Sequence, residues 1–130
     1  MRKEIKNTSQ KSSMNSEELS KVIVEGMEER KAEDIVVMDL RDIKGSICDF
    51  FVICSGNSDT QIEAIAKSIE EEAEKRDEKP WRKEGFTNRE WVLIDFVNVV
   101  AHVFRKDRRE FFGLEDLWGD AKITPVSQNA

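Results

Sequence analysis

Trp91-Val92-Leu93-Ile94-Asp95-Phe96-Val97-Asn98-Val99-Val100-Ala101-His102-Val103-Phe104 holds two strand-like apolar runs that meet at a short polar turn. β-Branched and aromatic residues dominate both runs, which predicts two strands joined as a hairpin. The only His of the chain sits inside the second run. Upstream, Cys48-Asp49-Phe50-Phe51-Val52-Ile53-Cys54-Ser55-Gly56-Asn57-Ser58 reads as a strand that breaks into a capped helix.

The remaining elements follow outward from these. Asn15 and Glu18 have the spacing of a capping box, and Leu19, Val22, Ile23 and Met27 then recur at helical period. Gly26 interrupts that helix and predicts a close approach to a packed sheet. Ile35 to Leu40 is nearly unbroken apolar sequence, the mark of a strand covered on both faces. Ser58 and Gln61 predict a second capping box, ahead of a helix with a buried Ile62, Ile65, Ala66, Ile69 and Ala73 stripe. Pro80 and Trp81 open a short edge strand, Gly85–Asn88 supply a turn, and Asp107 and Glu110 cap a short last helix. The chain is therefore expected to be an α/β (α+β) single domain, a mixed sheet of about five strands flanked by helices. Residues 1–14 read as a disordered leader, 15–120 as the domain and 121–130 as a flexible tail.

Charge narrows the choice of partner. The formal net charge is −6, yet residues 1–14 carry four basic side chains against Glu4. That leaves 17 basic and 26 acidic side chains on the rest, an acidic body. Nucleic-acid affinity comes largely from Lys and Arg displacing counterions, so direct sequence-specific nucleic-acid binding is not expected and a basic protein partner is. No apolar run approaches the roughly 20 residues that span a bilayer. A signal-peptide core is also missing, so a cytoplasmic location is expected. Cys48 and Cys54, placed on one strand, would lie about 20 Å apart on one face and could not bridge. With no Cys-x-x-Cys and no Cys/His cluster, neither a metal nor a cofactor is expected.

Three features could carry chemistry or binding. The Ser55–Ser58 turn delivers a Gly to a helix start, where free N–H groups can hold phosphate, but it lacks the Lys and the glycine spacing of nucleotide loops. Two-metal phosphoryl transfer needs paired acids, and Asp39 and Asp95 are followed two residues on by Arg41 and Val97. His102 has no nucleophile at a recognisable spacing and is expected to be held by Asp95 or Asn98. Trp91 shares its face with Leu93 and Asp95, a mixture of aromatic, aliphatic and acidic groups suited to a basic protein. The candidate partner-binding residues are thus Trp91, Leu93, Asp95, Asn98 and His102, with Trp91 at the exposed rim.

Taken in order, Ala32-Glu33-Asp34-Ile35, Asp49 to Ile53, Ser55 to Ser58, Glu84-Gly85, Trp91, Asp95, His102-Val103-Phe104 and Leu114-Glu115-Asp116-Leu117-Trp118 resemble the Iojap family, the ribosomal silencing factor S proteins. The likeness runs over roughly residues 17–119. One departure is Val97-Asn98, where the family usually has Gly-Asp. Val tolerates positive φ poorly, so a wider turn is expected here. The resemblance implies a fold similar to nucleotidyltransferases without their acid pair. It further implies a non-enzymatic homodimer that binds ribosomal protein fourteen of the large subunit, blocks joining of the small subunit and lowers translation when nutrients are short. Two alternatives stand beside it: a nucleotidyltransferase-like enzyme using the Ser55–Ser58 turn, and an oligomeric scaffold whose interface consumes the Trp91 face.

Overall fold

Asn15 caps the first helix as its spacing predicts. Its side chain accepts the Glu18 N–H at 2.8 Å, and the Glu18 carboxylate accepts the Asn15 N–H at 3.1 Å. The computed structural model describes residues 14–126, so the expected leader lies outside the described residues except for Met14, which packs partly buried on the core. Helix α1 (Ser16–Glu29) buries Leu19, Val22, Ile23 and Met27. Helix α2 (Asp59–Glu74) buries the Ile62, Ile65, Ala66, Ile69 and Ala73 stripe. Gly26 does serve a close approach, but to α2 rather than to a sheet: a Cβ there would meet the Ile69 Cα at 2.8 Å.

Six strands form one sheet: β1 (Glu33–Asp39), β2 (Phe50–Gly56), β3 (Arg82–Glu84), β4 (Trp91–Asp95), β5 (Val99–Arg105) and β6 (Lys122–Pro125), in the order β3-β4-β5-β2-β1-β6. β2 and β5 are parallel, and every other neighbouring pair is antiparallel. Alternation along the strands feeds two cores. Phe50, Val52, Cys54, Val92, Ile94, Val99, Ala101 and Val103 face α1 and α2. Val36, Met38, Phe51, Ile53, Val100 and Phe104 face the other way, where, among the described residues, short segments cover them. Those segments are the single-turn helices α3 (Arg109–Phe112) and α4 (Leu114–Leu117), with the loop around Leu40 and Cys48.

Five expectations need correction. The stretch from 121, read as a flexible tail, contributes β6, which pairs antiparallel with β1 from Asp39↔Lys122 to Val36↔Pro125. That strand is exposed throughout and owes its order to ladder hydrogen bonds, not to burial. The last helix is two single turns broken at Gly113 (φ 61°); Asp107 does not cap it but accepts from Arg105 at 2.7 Å. Gln61 leaves the second capping box half made. Ser58 accepts the Gln61 N–H, while the Gln61 amide takes the Asn57 N–H and donates to the Arg30 and Lys31 carbonyls, tying the end of α1 to the start of α2. β2 begins at Phe50, so Cys48 sits in the preceding loop; the two free thiols lie in different cores.

The fifth concerns Val97. A wide turn is absent: the Asn98 N–H donates to the Phe96 carbonyl at 3.0 Å, a γ-turn with Val97 at φ 79°. A β-branched residue at that φ is strained by about 1–3 kcal/mol. The Asp95 carboxylate holds it there by accepting the Val97 N–H at 2.7 Å, and the Phe96 N–H closes the hairpin on the Val99 carbonyl at 2.9 Å. The Val97 side chain is exposed, so Gly loses no packing there. Val97→Gly is expected to stabilise the fold by about 1 kcal/mol, strain relief outweighing added chain entropy. Denaturant unfolding of the two proteins side by side checks this.

Candidate functional site

β4 and β5 pair Trp91 with Phe104, Leu93 with His102 and Asp95 with Val100, so these six residues lie on the face turned away from α1 and α2. The turn before β4 runs tight over its first residue. Gly85 (φ 93°) leaves no room for a side chain, since a Cβ would come within 2.0 Å of the Trp91 carbonyl oxygen. Trp91 is consequently half-buried rather than at an open rim. Its ring centroid stands 5.1 Å from that of Phe104 and 5.0 Å from that of Phe112 of α3.

His102 closes this group from below. Its Nδ1 accepts the Trp91 indole N–H at 3.0 Å, and Phe51 meets its ring edge-on at 4.6 Å. Trp118 in turn meets Phe51 edge-on at 5.9 Å. An aromatic row therefore runs Phe112, Trp91, His102, Phe51, Trp118 across the sheet. Phe111, stacked edge-on against Phe112, and Leu117, beside Trp118, extend it into solvent at 71% and 76% exposure. Burial pushes the His102 imidazole down to about 3, so the ring is neutral at physiological pH. With Nδ1 accepting, the proton rests on Nε2, which has no hydrogen-bond partner among the described residues. An unpaired buried donor of this kind costs about 1–3 kcal/mol.

The five sequence-derived candidates do not form one site. Trp91 and Leu93 share the aromatic face, both half-buried. His102 is 2% exposed and held by Trp91, not by Asp95 or Asn98, so it cannot touch a partner directly. Asp95 is buried and committed: besides Val97, its carboxylate accepts from Arg82 Nε at 3.2 Å. Asn98 lies at the far end of the hairpin, where its carbonyl accepts from Asp49 and Phe50 at the entry to β2. Sequence reasoning missed Phe111, Phe112 and Leu117 as members of the face. The Phe111-Phe112 pair between Glu110 and Gly113 was the available signal, and the single-turn helix hid it.

The Ser55–Ser58 turn opens onto a cleft of about 550 Å³ lined by Ser55, Lys106, Arg109 and Glu115. Its cations are spent on protein carboxylates. Arg109 grips Glu115 with two nitrogens and donates to Ser55 Oγ at 2.9 Å, while Lys106 pairs with Glu33 at 2.9 Å. Asn57 Nδ2 also donates to Glu33, and these contacts hold its carboxyl below the usual range. No group of three or more His, Cys, Asp and Glu able to hold a metal stands among the described residues.

The family model described as ribosomal silencing factor during starvation matches residues 13–130. The chain belongs to the Iojap/RsfS family. It is 41% identical to the ribosomal silencing factor RsfS of Bacillus subtilis strain 168 over 113 residues, 87% of this chain and 95% of that one. The chloroplastic protein Iojap of Zea mays is 36% identical over 98 residues, 75% of this chain and 41% of the maize protein. A crystal structure of a Chromobacterium violaceum protein superposes with TM-score 0.78 at 30% identity, covering 90% of this chain and 97% of that one. A Bacillus halodurans crystal structure gives 0.72 at 38% identity, covering 87% and 100%. The RsfS family is one of translation regulators, non-enzymatic ribosome-binding factors, and the mixed-sheet domain expected from sequence is theirs.

The His102 environment sets a pH signature for this RsfS-family fold. A His whose folded value lies below its unfolded one contributes stability above the unfolded value, near 6.5, and loses it as pH falls toward the folded value. The chain has a single His, so between roughly pH 6 and 5 unfolding free energy should fall by about 1 kcal/mol per pH unit. His102→Phe should flatten that segment. Urea titrations at stepped pH read the slope directly.

Proposed function

We propose that this chain binds ribosomal protein fourteen of the large subunit with the aromatic face of β4 and β5, and that occupying this surface blocks joining of the small subunit and represses translation under nutrient limitation. The observation that carries the reading is the row from Phe112 to Trp118, covered among the described residues by two single-turn helices and the loop around Leu40 and Cys48, and flanked by exposed Phe111 and Leu117. Large aromatic area at a half-covered sheet face is the composition of a protein-binding hot spot. An acidic body suits a basic ribosomal protein and disfavours bare RNA. Family membership supplies the ribosome as the setting.

Homodimerisation and a cytoplasmic location belong to the same proposal. A half-covered apolar face can serve a second copy as well as a ribosomal protein, and no helix among the described residues is long and apolar enough to cross a membrane. The enzyme alternative has lost its footing at the Ser55–Ser58 turn, where Ser55, Asn57 and Ser58 are all committed to Arg109, Glu33 and the helix cap.

Trp91→Ala is a poor test, because it removes packing from Phe104 and Phe112 as well as contact area. Phe111→Ser with Leu117→Glu changes only exposed side chains. The double variant should melt with wild type and bind isolated large subunits about tenfold or more weakly in cosedimentation, a loss of ~1.4 kcal/mol. Undiminished binding by a folded variant would sink the proposed surface. Disruption of self-association with no wild-type binding to large subunits would favour the scaffold.

A further inference from the structure

We infer that His102 is a positioning residue for Trp91: it draws the indole N–H inward and fixes the ring so that the part left at the surface is wholly apolar. The inference rests on the proposed docking face and deepens it.

Position 102 lies among apolar residues. Val100 and Phe104 share its side of β5, and Leu93 and Ile53 are its cross-strand partners on β4 and β2. An aliphatic or aromatic side chain would suit that place without a buried donor left unpaired at Nε2. Among the described residues the imidazole makes one hydrogen bond, accepting it from Trp91 Nε1. The Phe104 and Phe112 rings, themselves in contact, both pack on the indole, and its bond to Nδ1 sets which edge points inward. An indole has a single polar hydrogen. Once that hydrogen is spent on a residue 2% exposed, a partner meets carbon alone and has no donor to desolvate. A ring held in its bound orientation also loses less freedom on docking than a free one.

Two measurements separate this from a merely structural His. The first is hydrogen exchange of the indole N–H groups, read by NMR on the wild-type protein. Trp81, 70% exposed, supplies the internal reference. The Trp91 N–H should exchange far more slowly than that of Trp81, and equal rates would overturn the inference without any variant. This arm needs no ribosome, so it stands even if binding to the large subunit fails altogether and takes the proposed function with it.

The second is a double-mutant cycle on large-subunit binding. His102→Phe removes the acceptor while keeping a ring; it should speed exchange at Trp91 and weaken binding about tenfold. His102→Asn places an oxygen near the lost Nδ1 and should restore binding to within about threefold of wild type. Trp91→Phe has no N–H to orient, so adding His102→Phe to it should change binding less than about twofold. An equal loss in both backgrounds, or wild-type binding by His102→Phe, refutes the positioning role.

Discussion

β2 and β5 lie side by side and parallel, in register from Phe50↔Val99 to Gly56↔Arg105, and the other elements take their places from that pair. β2 is buried at every residue and β5 at all but Arg105, so both faces of this central ribbon must be covered. Parallel neighbours need a long crossover, and the chain supplies it with α2, β3 and β4. The crossover puts α2 against α1 on one face, where Gly26 lets the helices close to backbone contact. Among the described residues, nothing of comparable length covers the opposite face. The inequality between the two coverings leaves the aromatic row half open.

Charged groups in this molecule mostly serve architecture. Asp95 stabilises a γ-turn that Val97 resists, Arg109 fastens α3 to Ser55 and Glu115, and Glu33 binds Asn57 and Lys106. A phosphate entering that cleft would have to displace carboxylates already bonded to its cations. Burial likewise pushes the Cys48 thiol up to about 12, far from a reactive thiolate. The surface with unspent binding capacity is the apolar one.

Much of the fold was legible because periodicity reports burial. The α1 cap, the α2 stripe and the apolar runs of β1, β2, β4 and β5 all appear at their expected places. β6 was hidden for the same reason: Lys122-Ile123-Thr124-Pro125 is exposed and forms by pairing with β1, which composition does not report. Val97 misled because its own preference was read without Asp95, whose carboxylate overrides it. At the site, period two placed Trp91 and Leu93 together correctly. Asp95 and His102 were misassigned because polarity in sequence does not reveal whether a side chain's hydrogen bonds are already used inside the fold.

The way α3 and α4 are held explains how a half-covered face stays a defined surface. Helices of one turn do not persist unaided, since nucleation is unfavourable and each forms too few bonds to repay it. Arg109 compensates from within α3. Its guanidinium bonds Glu115 of α4, Ser55 of β2 and the Asp34 carbonyl of β1, and its side chain is largely buried. Phe112 is thereby fixed over Trp91, and Phe111 is turned outward under the Arg108 guanidinium at 4.2 Å. A loose segment would let these rings fold back and pay for docking with their own ordering. Held this way, the exposed rings are presented already ordered, and the acidic body around them opposes indiscriminate association through that patch.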